Sequence, residues 1–160
     1  MSNSFPPVLD RHTHTLILGT MPGTESLRQQ QYYAHPRNAF WPIMGTIFGF
    51  DPNLPYSARL AELNRHGIGL WDTLKSCERP GSLDAKIKNA RYNDFFKLFK
   101  SYPKLQNICL NGRGAEKFFR YCCDPEKIPG MKIFLLPSTS PAYAAMSYPQ
   151  KLEIWRKCLF

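Results

Sequence analysis

Apolar residues along this chain gather into four short runs separated by stretches of helical spacing. The first run, Thr15-Leu16-Ile17-Leu18, is continuous and predicts a buried strand. Ile68-Gly69-Leu70-Trp71, Ile108-Cys109-Leu110 and Ile133-Phe134-Leu135-Leu136 predict three more. Phe40, Ile43, Met44 and Ile47 recur at helical spacing, and Pro42 places that helix's start close to Asn38, because proline is comfortable only in a first turn. After the break at Asp51-Pro52-Asn53-Leu54-Pro55, Ser57 is a candidate cap for a second helix, with Leu60 and Leu63 inward and Gly67 as its stop. A helix from about Asn93 is expected to carry Phe96 and Phe99 on one face; Ala115 to Tyr121 reads as helical, and the last helix runs roughly from Tyr148 to Lys157. Residues 1–13 read as a loose polar lead-in, and 76–92 as loop.

Strands alternating with helices predict an α/β fold: a four-stranded parallel sheet flanked by helices on both faces, one domain over residues 1–160. Parallel strands bring their carboxyl ends to one side, where open α/β sheets place their sites. Three strand ends lead into loops of unusual chemistry. Gly19-Thr20-Met21-Pro22-Gly23 has glycines that let the backbone approach a ligand, and it continues through Tyr32-Tyr33 to His35-Pro36-Arg37-Asn38. Asn111-Gly112-Arg113-Gly114 and Pro137-Ser138-Thr139-Ser140-Pro141-Ala142 follow the third and fourth strands. The glycine spacing of the first loop matches no dinucleotide fingerprint and no P-loop lysine follows, so no nucleotide cofactor is expected.

Composition adds a charge argument. The chain carries 21 basic and 12 acidic residues, a net charge of +9, and the resulting field favours anionic partners, nucleic acid first among them. Aromatic residues at 14% suit stacking surfaces as well as a filled core. The five cysteines form no CxxC pair, and adjacent Cys122-Cys123 is poorly placed to chelate one metal; reduced thiols without a zinc or iron–sulfur site are expected. With no signal-like N-terminus and no apolar run of membrane length, a soluble, cytoplasmic, monomeric protein without membrane association is expected.

Each candidate residue has two readings at this level. An asparagine ahead of an apolar helix is a natural N-cap, so Asn38 is either a cap or a functional amide. His35 is either a hydrogen-bonded structural histidine or a site donor, and Tyr33 either core or pocket wall. Ser138, Thr139 and Ser140 form a rigid turn whose hydroxyls and amides are common phosphate ligands. No serine sits in a nucleophile elbow, which argues against a Ser-His-Asp hydrolase.

Taken together, Gly19–Gly23, Ser26-Leu27, Tyr32–Trp41, Gly67–Asp72, Arg79–Asp84, Asn111-Gly112 and Leu136–Ala142 resemble the uracil-DNA glycosylase superfamily. The resemblance is greatest to its hypoxanthine-DNA (deoxyinosine) glycosylase branch, with His-Pro-Arg-Asn-x-Phe-Trp as the most specific segment. It implies a base pocket at the strand ends and a segment at Ser138–Tyr143 that grips phosphates and probes the minor groove. Several branches carry a polar water-activating residue in the first loop, where this chain has Met21; in the branch it resembles, the asparagine of His-Pro-Arg-Asn substitutes, which points to Asn38.

The expected substrate is double- or single-stranded DNA bearing a damaged base, without cofactor or metal. Asn38 is expected to hold the attacking water, Tyr33 to stack on the extruded base, and Gly19, Thr20, Met21, Pro22, Gly23, His35 and Asn111 to border it. Ser138, Thr139, Ser140 and Pro141 are expected on phosphates, Ala142 and Tyr143 in the vacated stack, and Arg37 and Arg113 on the DNA backbone. No lysine lies between Gly19 and Trp41, so simple hydrolysis is expected rather than an imine route. Glu25 is the rival general base, and whether Glu25 or Asp72 assists Asn38 stays open. So do uracil or xanthine as the base, a non-catalytic damage binder, and hydrolysis of free nucleosides.

Overall fold

A computed structural model describes residues 1–159; Phe160, the last residue of the expected domain, lies outside the described residues. Four parallel strands form the central sheet in the order β3-β2-β6-β7: β2 (Thr15–Gly19), β3 (Ile68–Asp72), β6 (Asn107–Asn111) and β7 (Lys132–Leu136). The register sets Gly19 beside Asp72 and Asn111 beside Leu136, so the strand ends form one row. This is the expected α/β sheet.

Strand alternation decides which residues face which helices. Ile17, Leu70 and Cys109 pack on one face with Phe40, Ile43 and Met44 of α2 (Phe40–Phe48), Leu63 of α3 (Tyr56–Arg65) and Trp155 of α6 (Tyr148–Leu159). Leu16, Leu18, Ile108 and Leu110 pack on the other with Phe95 and Leu98 of α4 (Phe95–Ser101) and Ala115 and Phe119 of α5 (Arg113–Cys122). Leu16, Ile17 and Leu18 are all fully buried, each contributing about 1.5–3 kcal/mol of hydrophobic stabilisation. Among the described residues no helix is long and apolar enough to cross a membrane.

Five expectations are corrected. The lead-in is not loose: β1 (Ser2–Asn3) pairs antiparallel with β4 (Leu74–Glu78), Phe5 is buried edge-on against Tyr32, and Val8 exchanges two 2.8 Å backbone hydrogen bonds with Leu70. Two apolar side chains anchor a segment whose average composition is polar. Residues 76–92 are not simply loop either. They supply most of β4 together with β5 (Lys88–Tyr92), an antiparallel pair that makes a second sheet, β1-β4-β5. Its register shifts between Leu74 and Glu78 disrupt the alternation that would have revealed it.

Within the first long loop, Thr24–Gln29 forms a short helix, α1. Helix α2 begins at Phe40, two residues after Asn38, which still leaves Pro42 in its first turn. Ser57 lies inside α3 and caps nothing, since Pro55 precedes the helix. Helix α4 is capped by Asp94, whose carboxylate accepts the Lys97 N–H at 3.1 Å; that start rotates Phe95 and Leu98 inward and leaves Phe96 exposed.

If Phe5 anchors the first residues as this packing requires, Phe5→Ala lowers stability by about 3 kcal/mol in urea unfolding. A change below about 0.5 kcal/mol would return the segment to a loose lead-in.

Candidate active site

The row of strand ends opens into a cavity of about 680 Å³, of a size that takes one nucleoside-like ligand. Its walls come from the loops after β2, β4 and β7, from the last residues of β3 and β6, and from the segment before α2. Every site residue expected from the sequence lines this cavity except Arg113, which is exposed on the first turn of α5.

Gly19 forms part of the floor. A Cβ at that position would stand 2.6 Å from Asp72 Oδ1 and 3.2 Å from the Tyr33 hydroxyl, so the bare backbone is what lets those two groups approach. Both are buried, and the Tyr33 hydroxyl and Asp72 Oδ2 have no hydrogen-bond partner among the described residues. Burial, reinforced by the nearby Asp84 and opposed by Arg79, pushes the Asp72 carboxyl up to about 7. Burial also drives the Tyr33 phenol well above its ordinary range, with Asp72 adding to the effect. The Tyr33 ring stacks on Phe40 with centroids 4.0 Å apart, which leaves one ring face at most for a base.

Asn38 is not the N-cap of α2, a position held by Ala39. Its side-chain oxygen accepts the Phe40 N–H at 2.9 Å from one residue further out, while the residue lines the cavity and its NH₂ group has no hydrogen-bond partner among the described residues. A carbonyl oxygen has two lone pairs, so one acceptor site also remains. His35 Nδ1 accepts the Arg37 N–H at 3.1 Å, and this puts the proton of the neutral ring on Nε2.

Asn111 and Thr139 form a reciprocal pair. The Asn111 amide donates to the Thr139 hydroxyl and accepts the Thr139 N–H, both at 3.0 Å, and Thr139 O accepts the Ala39 N–H at 3.0 Å. Thr139 is therefore a buried fastener between the loop after β7 and α2, not a surface phosphate ligand, and the Asn111 side chain is largely committed to it. Ser138 and Ser140 accept amide protons from Ser140 and Ala142 at 3.2 Å, so each hydroxyl still has its own proton to donate. Tyr143, 39% exposed, stands at the rim.

Glu25 is a poor base. Hydrogen bonds from Arg28 and Gln29 pull its carboxyl down to about 2. Sequence reasoning left the other wall without a role: Ser82 accepts the Thr24 N–H at 2.8 Å, Asp84 accepts from Thr20 at 3.0 Å, and Arg79 donates to the Pro22 carbonyl. No spacing rule connects residues sixty positions apart; Arg79–Asp84 entered only as a segment of the family resemblance, and strand-end placement pointed to Asp72 instead. No group of three or more metal-ligating side chains occurs among the described residues.

With this geometry in view, the comparisons with known proteins are direct. The family model described as the uracil DNA glycosylase superfamily matches residues 6–159. The chain belongs to the uracil DNA glycosylase superfamily. It is 44% identical over 154 residues to a hypoxanthine DNA glycosylase of Methanosarcina acetivorans, covering 96% of this chain and 95% of that one. It is also 44% identical over 115 residues to a hypoxanthine DNA glycosylase of Methanosarcina barkeri, covering 71% and 73%. A solution NMR structure of a candidate uracil DNA glycosylase from Methanosarcina acetivorans superimposes with a TM-score of 0.81 at 38% identity, covering 97% of this chain and 96% of that one. The fold described above, with its four-stranded parallel sheet, is thus shared with that structure.

A carboxyl whose folded pKa lies above its unfolded value of 3.8 is held as the acid on folding. Its penalty is absent below that value, grows as pH rises and is complete above about 7. The gap corresponds to roughly 4 kcal/mol at most. Asp72→Asn is therefore expected to raise Tm at pH 8 relative to the parent and to lose that advantage at pH 4, as measured by thermal melts at both values.

Proposed function

We infer that this chain is a DNA glycosylase that excises hypoxanthine from DNA by hydrolysing the N-glycosidic bond. It belongs to a superfamily of DNA glycosylases, and named hypoxanthine DNA glycosylases align with most of its length. The finer reading proposed here is a monofunctional, monomeric enzyme of the cytoplasm that acts on duplex DNA and leaves an abasic site for base excision repair. No lysine lines the cavity among the described residues, which supports hydrolysis over an imine route.

The observation that carries the mechanism is the pairing of two polar groups in one cavity: the Asn38 amide beside the opening and the Asp72 carboxyl on the floor. An inosine pair is a weak point in a duplex, so extrusion of its base costs less than for a normal pair. Asn38 holds a water against C1′ of the extruded nucleotide. As the C1′–N9 bond breaks, the water oxygen bonds to C1′ and the purine takes the electron pair. Asp72, poised near neutrality, donates a hydrogen bond or proton to a purine ring nitrogen as negative charge develops there. The proton lost by the water balances the one gained by the base. Tyr33 borders the base, Ser138 and Ser140 donate to flanking phosphates, Tyr143 enters the vacated stack, and Arg37 contributes salt-sensitive affinity.

Single-turnover excision from an inosine duplex, read as alkali-labile breaks, tests these roles. Asn38→Ala is expected to slow the chemical step by about 100-fold or more, while Glu25→Ala stays within about threefold. A near-normal rate in the Asn38 variant removes the assignment. Breaks at uracil alone would change the base, and binding without breaks would make the chain a damage binder.

The pH profile checks Asp72. If its acid form assists departure, the rate falls about tenfold per pH unit above roughly 7, and Asp72→Asn flattens that descent. An unaltered descent in the variant assigns the titration elsewhere.

A further inference from the structure

Lys151 is the one buried lysine among the described residues, at 5% exposure, and the mechanism above gives it no part. It lies in the first turns of α6, behind the loop that follows β7. Its ammonium donates to the Ser140 carbonyl at 3.2 Å and sits 5.3 Å from the centre of the Tyr143 ring. No carboxylate lies within 4.0 Å of it among the described residues. An ammonium has three protons to donate, and a single carbonyl and an aromatic face leave its charge without a counter-ion.

A cation this dry is costly to keep unpaired, and a merely structural tie between α6 and the loop needs only a neutral donor. The charge is unnecessary for holding Ser140; it becomes useful when an anion arrives. The residues it touches are the ones that meet such an anion if the loop grips DNA. Ser140 presents a free hydroxyl proton, its carbonyl also accepts the Tyr143 N–H at 3.1 Å, and Tyr143 stands exposed at the cavity rim.

We propose that Lys151 is a positioning residue whose buried charge is neutralised by the DNA phosphate held at Ser138–Ser140, so that phosphate binding and the set of the Tyr143 wedge are one event. The proposal rests on the reading of Ser138–Tyr143 as the DNA-gripping loop. The ammonium fixes the Ser140 carbonyl and the Tyr143 ring before DNA arrives. Its field, screened less than that of an exposed lysine, then acts on the phosphate held by the Ser138 and Ser140 hydroxyls.

Salt dependence separates charge from scaffold. Binding of an inosine duplex to the full chain is measured over a range of salt concentrations for the parent, Lys151→Gln, Lys151→Met and Lys151→Arg. Gln keeps an N–H donor without charge, Met keeps the stem alone, and Arg keeps the charge. The slope of log affinity against log salt is expected to shrink by about 0.9 in the Gln and Met variants and to stay parental in Arg. A parental slope in Lys151→Gln overturns the proposal, even if Lys151→Met is weakened or fails to fold. If Ser138→Ala and Ser140→Ala together leave parental affinity and slope intact, the loop itself is not the grip, and the underlying reading fails instead.

Discussion

The closeness of Gly19 to Asp72 is the constraint on which the cavity depends. Two parallel strands ending in register bring these residues side by side, and a side chain on the first would collide with the carboxyl of the second. Because nothing fills that space, the carboxyl and the Tyr33 hydroxyl both come close to the Gly19 backbone. They remain without protein partners there, an arrangement that sheet packing alone would not select. The floor is thus built at a cost in stability, the usual mark of a polar group retained for a ligand rather than for the fold.

A second constraint ties the walls together. Thr139 is held by Asn111 through two hydrogen bonds and holds α2 through a third, so one buried residue fixes the end of β6, the loop after β7 and the segment bearing Asn38 relative to one another. Trp155 adds a bond from α6 to the Pro137 carbonyl at 2.9 Å. Gly112 lets the loops meet: its φ of +94° suits only glycine, and a Cβ there would stand 2.9 Å from that of Ser138. A hydrolytic site needs its water and its leaving group held in fixed relation, and these fasteners supply that rigidity without touching either.

The sheet was legible because continuous apolar runs such as Leu16–Leu18 have one comfortable fate, burial on both faces, and three of the strand-end loops then followed from topology. Most of the cavity wall was legible for the same reason. What the pattern concealed were features of tertiary pairing. The first strand hides in a polar stretch because only Phe5 and Val8 anchor it, and the β4-β5 pair hides behind irregular register. Thr139 looked like one hydroxyl among several; its burial is a consequence of where Asn111 ends, which no local rule encodes. Arg113 was expected on the DNA backbone because it follows a site loop; a helix begins there and leaves it exposed on the surface, outside the cavity lining.

Asn38 shows how a bond to a helix start is compatible with the water-holding role proposed for it. That bond uses a single lone pair of the amide oxygen, given to the N–H of Phe40, the first residue of α2, and it orients the whole side chain. A free asparagine at a cavity edge would sample several rotamers, and each water it held would wander with it. Spending one acceptor site on the helix fixes the plane of the amide, so the remaining lone pair and the NH₂ group point in set directions. Under the proposed mechanism that bond is the device that pre-organises the amide for a reacting water, at the modest cost of one of its four hydrogen-bonding sites.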